Sequence, residues 1–252
     1  MDIAALLIGG RNELGFEKGM TENLARRTVA ETLGTAGLLA TVVGSGIMAE
    51  RLAGGNAAVA LLANTLATGA GLVALILTFG KISGAHFNPA VTISDALMKG
   101  IAWRDVPFYI IGQTVGAIVG TGAANVMFEL PVFFASHKAR TGAAQWLSEF
   151  VATFGLLAVI WGCSRLHRAV VVPFAVAAYI TAAYWFTAST SFANPAVTLA
   201  RSMSDTFAGI RAADVPYFMI AQFTGAFAAT FVFRWLAPIQ SKEAEDVMLP
   251  HD

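Results

Sequence analysis

Charge is scarce in this sequence. Asp, Glu, Lys and Arg make up only 13% of its 252 residues and cancel to a formal net charge of zero. A water-soluble domain carries about twice that charged share. With no basic excess and no polybasic run, nothing in the chain is suited to gripping a nucleic-acid backbone. Cysteine is nearly absent too. Cys163 stands alone, which excludes internal disulfides and any metal site built from several thiolates. The four histidines (His86, His137, His167 and His251) are scattered, and no Ser or Cys has a base close by in sequence. No catalytic constellation, metal site or cofactor motif is therefore expected. The first 25 residues are polar and contain no apolar stretch of the signal-peptide kind.

Apolar residues fill the space that charge leaves. They make up 56% of the chain, with a mean hydropathy of +0.65. They fall into six runs, at about 28–49, 56–80, 105–128, 144–164, 169–187 and 214–237, each near the roughly 20 residues that a hydrocarbon core of about 30 Å demands. The expectation is an all-α integral membrane protein. Its transmembrane unit spans 26–237, between an N-terminal tail of 1–25 and a C-terminal tail of 238–252. The third run holds Gly112, Gly116 and Gly120 at four-residue spacing, small residues that let helix backbones approach closely in lipid.

One motif occurs twice. His86-Phe87-Asn88-Pro89-Ala90-Val91-Thr92 follows the second run, and Phe192-Ala193-Asn194-Pro195-Ala196-Val197-Thr198 follows the fifth. Asn caps free N–H groups, and Pro at the first helical position surrenders a hydrogen bond that had no partner. Each copy therefore starts a helix too short to cross a bilayer. The surroundings repeat as well. Glu31-x-x-x-Thr35 answers to Glu149-x-x-x-Thr153, Asp105-Val106-Pro107 to Asp214-Val215-Pro216, and Gln113-x-x-Gly116-Ala117 to Gln222-x-x-Gly225-Ala226. The halves, about 26–128 and 144–237, each hold three spans. Three is odd, so the halves insert with opposite topology and the two half-helices enter from opposite faces, with a site where they meet. With both termini cytoplasmic, 11 of the 16 Lys and Arg lie inside and 5 outside, the sense of the positive-inside bias.

Two Asn-Pro-Ala half-helices among six spans, led by Ser83-Gly84-Ala85-His86-Phe87, resemble the aquaporin and aquaglyceroporin family over about residues 26–237. The resemblance implies a homotetramer in the cell's inner (plasma) membrane, one pore per subunit, and small neutral solutes as cargo. The motif residues Asn88, Pro89, Ala90, Asn194, Pro195 and Ala196 would meet near mid-membrane. There the asparagines offer N–H donors, and the positive helix ends, each about half a charge, oppose cations. The loops ahead of them (Gly84, Ala85 and His86; Ser189 and Thr190) would present carbonyl acceptors. Such unpaired backbone is tolerated at that depth only where it lines a wet cavity.

The chain departs from the family at the outer filter. Most members carry Arg directly after the second motif; here the residue is Val197. By spacing, the remaining filter positions fall on Thr68, Ala182 and Ser191. All four are small and uncharged, which implies a wide mouth. The pattern resembles a bacterial branch associated with arsenic resistance, whose cargo would be arsenous acid and related metalloids. Glycerol and water would pass too. A general water and glycerol facilitator is the alternative, and a proton-coupled carrier using Glu31 and Glu149 is a reading from another class. Those two carboxylates otherwise support the loops. Arg201, one turn beyond Val197, either leans back to the outer mouth as a replacement cation or packs on loop carbonyls. His86 is a backbone-positioning or pore-lining residue, or a pH gate. Cys163 reads as packing in preference to a thiol that senses arsenic.

Overall fold

The computed structural model describes residues 3–165 and 169–237, with side chains over 23–164 and 170–237. The expected tail 238–252 and most of the loop 165–168 lie outside the described residues. Within them the chain is entirely helical, with eight α-helices and no strand. Helix α1 (Ile3–Leu52) is continuous from the segment expected as a tail, and its apolar span is 23–52. Then come α2 (Ala57–Ser83), the half-helix α3 (Pro89–Leu97), α4 (Val106–Met127), α5 (Ala143–Arg165), α6 (Val172–Phe186), the half-helix α7 (Pro195–Arg201) and α8 (Val215–Leu236).

Five helices are long and apolar enough to cross a membrane. The expected fifth span is delivered in two pieces, a 3-10 turn at Ala169–Val171 and then the 15-residue α6. Pro173 in the first turn of α6 has no N–H to extend the helix backwards. At 1.5 Å per residue α6 covers about 22 Å, short of a full core.

Helix packing follows the repeat. In the first half α1 packs on α2 and α4; in the second α5 packs on α6 and α8, and α2 meets α6 across the halves. Glycine makes the closest of these contacts. A Cβ at Gly116 would overlap the Thr32 carbonyl, and one at Gly120 the Ala36 carbonyl, so α4 rests directly on the backbone of α1. Gly225 plays the same part for α8 against the Phe150 carbonyl of α5. Lipid supplies no hydrophobic drive between helices, so this backbone contact must hold them together.

The connection after α4 folds back over the C-terminal end of α7. Phe134 and Ser136 donate N–H bonds to the carbonyls of Met203 and Ser202, and Arg211 donates to that of Lys138. Arg140, buried in this connection, donates from Nε to the Gly209 carbonyl and from Nη1 to the Ser189 carbonyl.

Because no flexible side chain stands in the way at Gly116, the α1 backbone itself must yield to a methyl group. Gly116→Ala is expected to lower stability by about 1–3 kcal/mol, read as a fall in the melting temperature of detergent-purified protein. Ala at the uncrowded Gly142 site would meet no neighbour and carry only the conformational strain of its positive φ.

Candidate functional site

The site is built from the two half-helix starts. Asn88 and Asn194 adopt nearly the same extended backbone, φ/ψ of −154°/117° and −156°/117°. The Oδ1 of Asn88 accepts from Ala90 N, and that of Asn194 from Ala196 N and Val197 N, as helix caps should. The amide nitrogens do something the sequence did not reveal. Asn88 Nδ2 donates to the Ala193 carbonyl at 2.8 Å, and Asn194 Nδ2 donates to the Phe87 carbonyl at 2.7 Å. Each asparagine thus caps its own helix and ties its N-terminus to the opposite loop. A primary amide has two N–H donors, and each of these bonds uses one of them.

The loops ahead of these caps are held by carboxylates. Glu31, fully buried, accepts from Ser83 Oγ, His86 N, Phe87 N and Gln113 Nε2 at 2.6–2.9 Å. Glu149, equally buried, accepts from Phe192 N, Ala193 N and Gln222 Nε2 over the same range. Gln113 and Gln222 each also donate to a half-helix threonine, Thr92 and Thr198. The sequence comparison paired these glutamines but assigned them no task. With the N–H groups of residues 86 and 87 turned toward Glu31, the trans peptides point the carbonyls of Ala85 and His86 the opposite way. In the second loop the same geometry aims the carbonyls of Ser191 and Phe192. Reversing successive peptides this tightly needs left-handed residues: Gly84 (φ 86°), Ala85 (51°), Phe87 (49°), Thr190 (62°), Ser191 (50°) and Ala193 (48°). Non-glycine residues there carry strain, which the carboxylate anchors offset.

Ser189 and Thr190 therefore do not supply the second set of carbonyls. The Ser189 carbonyl accepts from Arg140, and neither residue borders the cavity. The register lies further along, at Ser191 and Phe192, because Glu149 grips the two residues just before Asn194.

A cavity open to solvent runs past both motifs. Its polar strip comes from the two loops, Asn88 and Asn194. The rest of the lining is mostly apolar, with helical i, i+4, i+8 rows such as Thr68, Leu72 and Ile76 on α2 and Val176, Ile180 and Tyr184 on α6, where only Thr68 and Tyr184 carry hydroxyls. Gly84, Ala85, His86, Thr68, Ser191, Val197 and Arg201 all border it. Ala182 does not. It is exposed on the outer face of α6, because two residues along a helix turn a side chain by about 200°. The cavity-side residue near that level is Tyr184, whose hydroxyl meets Thr68 Oγ1 at 3.3 Å. The row through Val176 and Ile180 was the sequence signal that points to it.

The half-helix ends differ in chemistry. His86 is buried, its Nδ1 3.1 Å from Thr92 Oγ1, its Nε2 3.6 Å from Asp95 Oδ2, and its ring beside Tyr109. At the α7 end Arg201 is 2% exposed, stacked on the Phe192 ring, with its Nε donating to the Ala208 carbonyl. In the connection above it, burial lowers the Arg140 guanidinium to about 10. Burial, then the nearby charges of Arg140 and Arg201, lower the Lys138 ammonium to about 8. Cys163 is only partly buried and packs against the apolar core.

Fold and site together define a multi-pass membrane protein with a lined conduit between two re-entrant half-helices of an inverted repeat. The family model of the major intrinsic proteins matches residues 19–171 and 163–251. The chain is 58% identical to aquaglyceroporin AqpS of Rhizobium meliloti (strain 1021) over 214 residues, 85% of this chain and 91% of that protein. It is 27% identical to the probable aquaporin NIP4-2 of Arabidopsis thaliana, over 66% of this chain and 60% of that one. The fold is similar to the X-ray structure of the aquaglyceroporin from Plasmodium falciparum, with a TM-score of 0.65 at 24% identity, covering 85% of this chain and 98% of that one. The chain belongs to the major intrinsic protein family, that of the aquaporins and aquaglyceroporins, and is a membrane channel rather than an enzyme.

Two outcomes follow from the geometry. Glu149→Ala strands the N–H groups of Phe192 and Ala193, at about 1–3 kcal/mol each, and is expected to abolish solute flux in proteoliposomes while circular dichroism stays helical. Tyr184→Trp is expected to reduce flux by crowding the cavity, whereas the outward-facing Ala182→Phe leaves it unchanged.

Proposed function

We propose that the protein is a passive channel for small neutral hydroxylated solutes, principally arsenous acid and related metalloids, and that it also passes glycerol and water. The observation that carries this reading is the two-sided cavity wall. A line of N–H donors and carbonyl acceptors can replace a solute's hydration on one side, while apolar side chains face its carbon or arsenic centre on the other. Val197 leaves the α7 wall at this level short and uncharged, which supports a bore wider than one water molecule. The 58% identity to a protein named as an aquaglyceroporin supports the same solute class.

Glu31 and Glu149 speak against a proton-coupled carrier. Both are saturated by three or more donors and neither borders the cavity, so protonation of either would cost the loop its anchor. The alternative of a general water and glycerol facilitator differs only in which solute is fastest. The Lys and Arg distribution supports placement in the cell's inner membrane with both termini cytoplasmic, and the family resemblance supports a homotetramer with a pore in each subunit.

Stopped-flow light scattering on proteoliposomes tests this reading. Arsenite and glycerol are expected to equilibrate about tenfold or more faster than in empty vesicles, a barrier difference of about 1.4 kcal/mol, and no faster when a pH gradient is imposed. Water flux without arsenite or glycerol flux would overturn it. Val197→Arg is expected to cut arsenite and glycerol flux more than water flux.

A further inference from the structure

The two halves align without a gap around the motifs, which makes an exchange of charge between them visible. Seven residues past Asn88 stands Asp95; seven past Asn194 stands Arg201. Their neighbours have exchanged in concert, for His86 in the first loop corresponds to Phe192 in the second. Tyr109 on α4 and Phe218 on α8 back these two rings at centroid distances of 5.4 and 5.3 Å. Asp95 is buried behind His86 and does not border the cavity. Arg201 does border it.

Burying a guanidinium without a carboxylate is costly, and here no acid is paired with it among the described residues. Three features hold it in place. The side chain leans toward the N-terminus of α7, hence toward mid-membrane. Nε is anchored on the Ala208 carbonyl. The Phe192 face lies 3.3 Å beneath the guanidinium carbon, with Arg140 4.9 Å from the same ring. That hydrogen bond is the only one its guanidinium makes among the described residues, so the two Nη groups have no acceptor among them on a side chain that borders the cavity.

We propose that Arg201 is the cation barrier and hydrogen-bond donor of the outer mouth, acting from one helical turn beyond Val197 across from Thr68 and Tyr184. The proposal rests on the reading of this cavity as a solute pore. It separates two duties. Val197 gives the α7 wall its small side chain, and Arg201 supplies fixed positive charge from one turn further along the half-helix. A hydroxyl oxygen of a neutral solute can accept from Nη. At an effective dielectric of about 20, a cation within about 5 Å of this charge is disfavoured on the order of 100-fold. The inward-leaning side chain and the carbonyl anchor are two parts of one arrangement: Nε holds the group while Nη faces the solute path.

The test uses the full chain in proteoliposomes, reading proton and potassium leak with an internal pH dye and a potassium electrode beside glycerol flux. Arg201→Met is expected to raise the leak about tenfold or more. Adding Val197→Arg to that variant is expected to return the leak close to the wild-type level. Arg201→Gln, which removes the charge but keeps an N–H donor, is expected to raise the leak by a similar factor and serves if Arg201→Met does not fold. A leak unaltered by either variant, or a double variant that still leaks, overturns the proposal. Absence of glycerol flux in the wild type would instead defeat the solute-pore reading, a separate readout in the same vesicles.

Discussion

A peptide group removed from bulk water must find its hydrogen bonds inside the protein or on the wall of a wet cavity, and this constraint shapes the molecule around its motifs. Two segments of non-helical backbone sit where no lipid could solvate them. Glu31 and Glu149 resolve the problem by accepting the N–H groups on one side of each loop, which leaves the carbonyls to face the other. The left-handed residues are tolerated because the carboxylates hold them there. Around these anchors Gln113 and Gln222 extend the network to Thr92 and Thr198, so each loop, half-helix and following span is joined through one carboxylate.

The reciprocal bonds between Asn88 and the Ala193 carbonyl and between Asn194 and the Phe87 carbonyl join the halves at the centre. They align two half-helices of 9 and 7 residues with their positive ends facing. On the proposed reading, a cation at that point would meet both ends at once, while a neutral solute would meet one spare N–H on each asparagine. Specificity would then have two layers, charge discrimination at the centre through backbone and asparagine, and at the α7 end through the side chains of Val197, Tyr184, Thr68 and Arg201.

Symmetry makes the local departures meaningful. Glutamate, glutamine, threonine and asparagine recur in both halves because the loop problem is the same at both faces. His86 with Asp95, against Phe192 with Arg201, is where the two mouths part company, and there the demands on a passing solute differ. Arg140 lies in the connection between the halves and serves one mouth alone. It clamps the Ser189 and Gly209 carbonyls from the connection, closing the α7 end with a loop that folds over it.

Much of this was legible in the chain. Periodicity and composition determined a helical membrane protein. The doubled Asn-Pro-Ala and paired Glu determined an inverted repeat with two capped half-helices, because capping and hydrophobic burial are local demands that a residue type meets wherever it stands. Tertiary structure alone decided which faces meet. It placed Tyr184 in the cavity instead of Ala182, since a two-residue error in register reverses a helix face. It engaged the Ser189 carbonyl with Arg140, a partner 49 positions away. It also turned Arg201 back over Phe192 to the cavity wall, a choice that depends on the Ala208 carbonyl and the covering connection and so cannot be read from a spacing of four along α7.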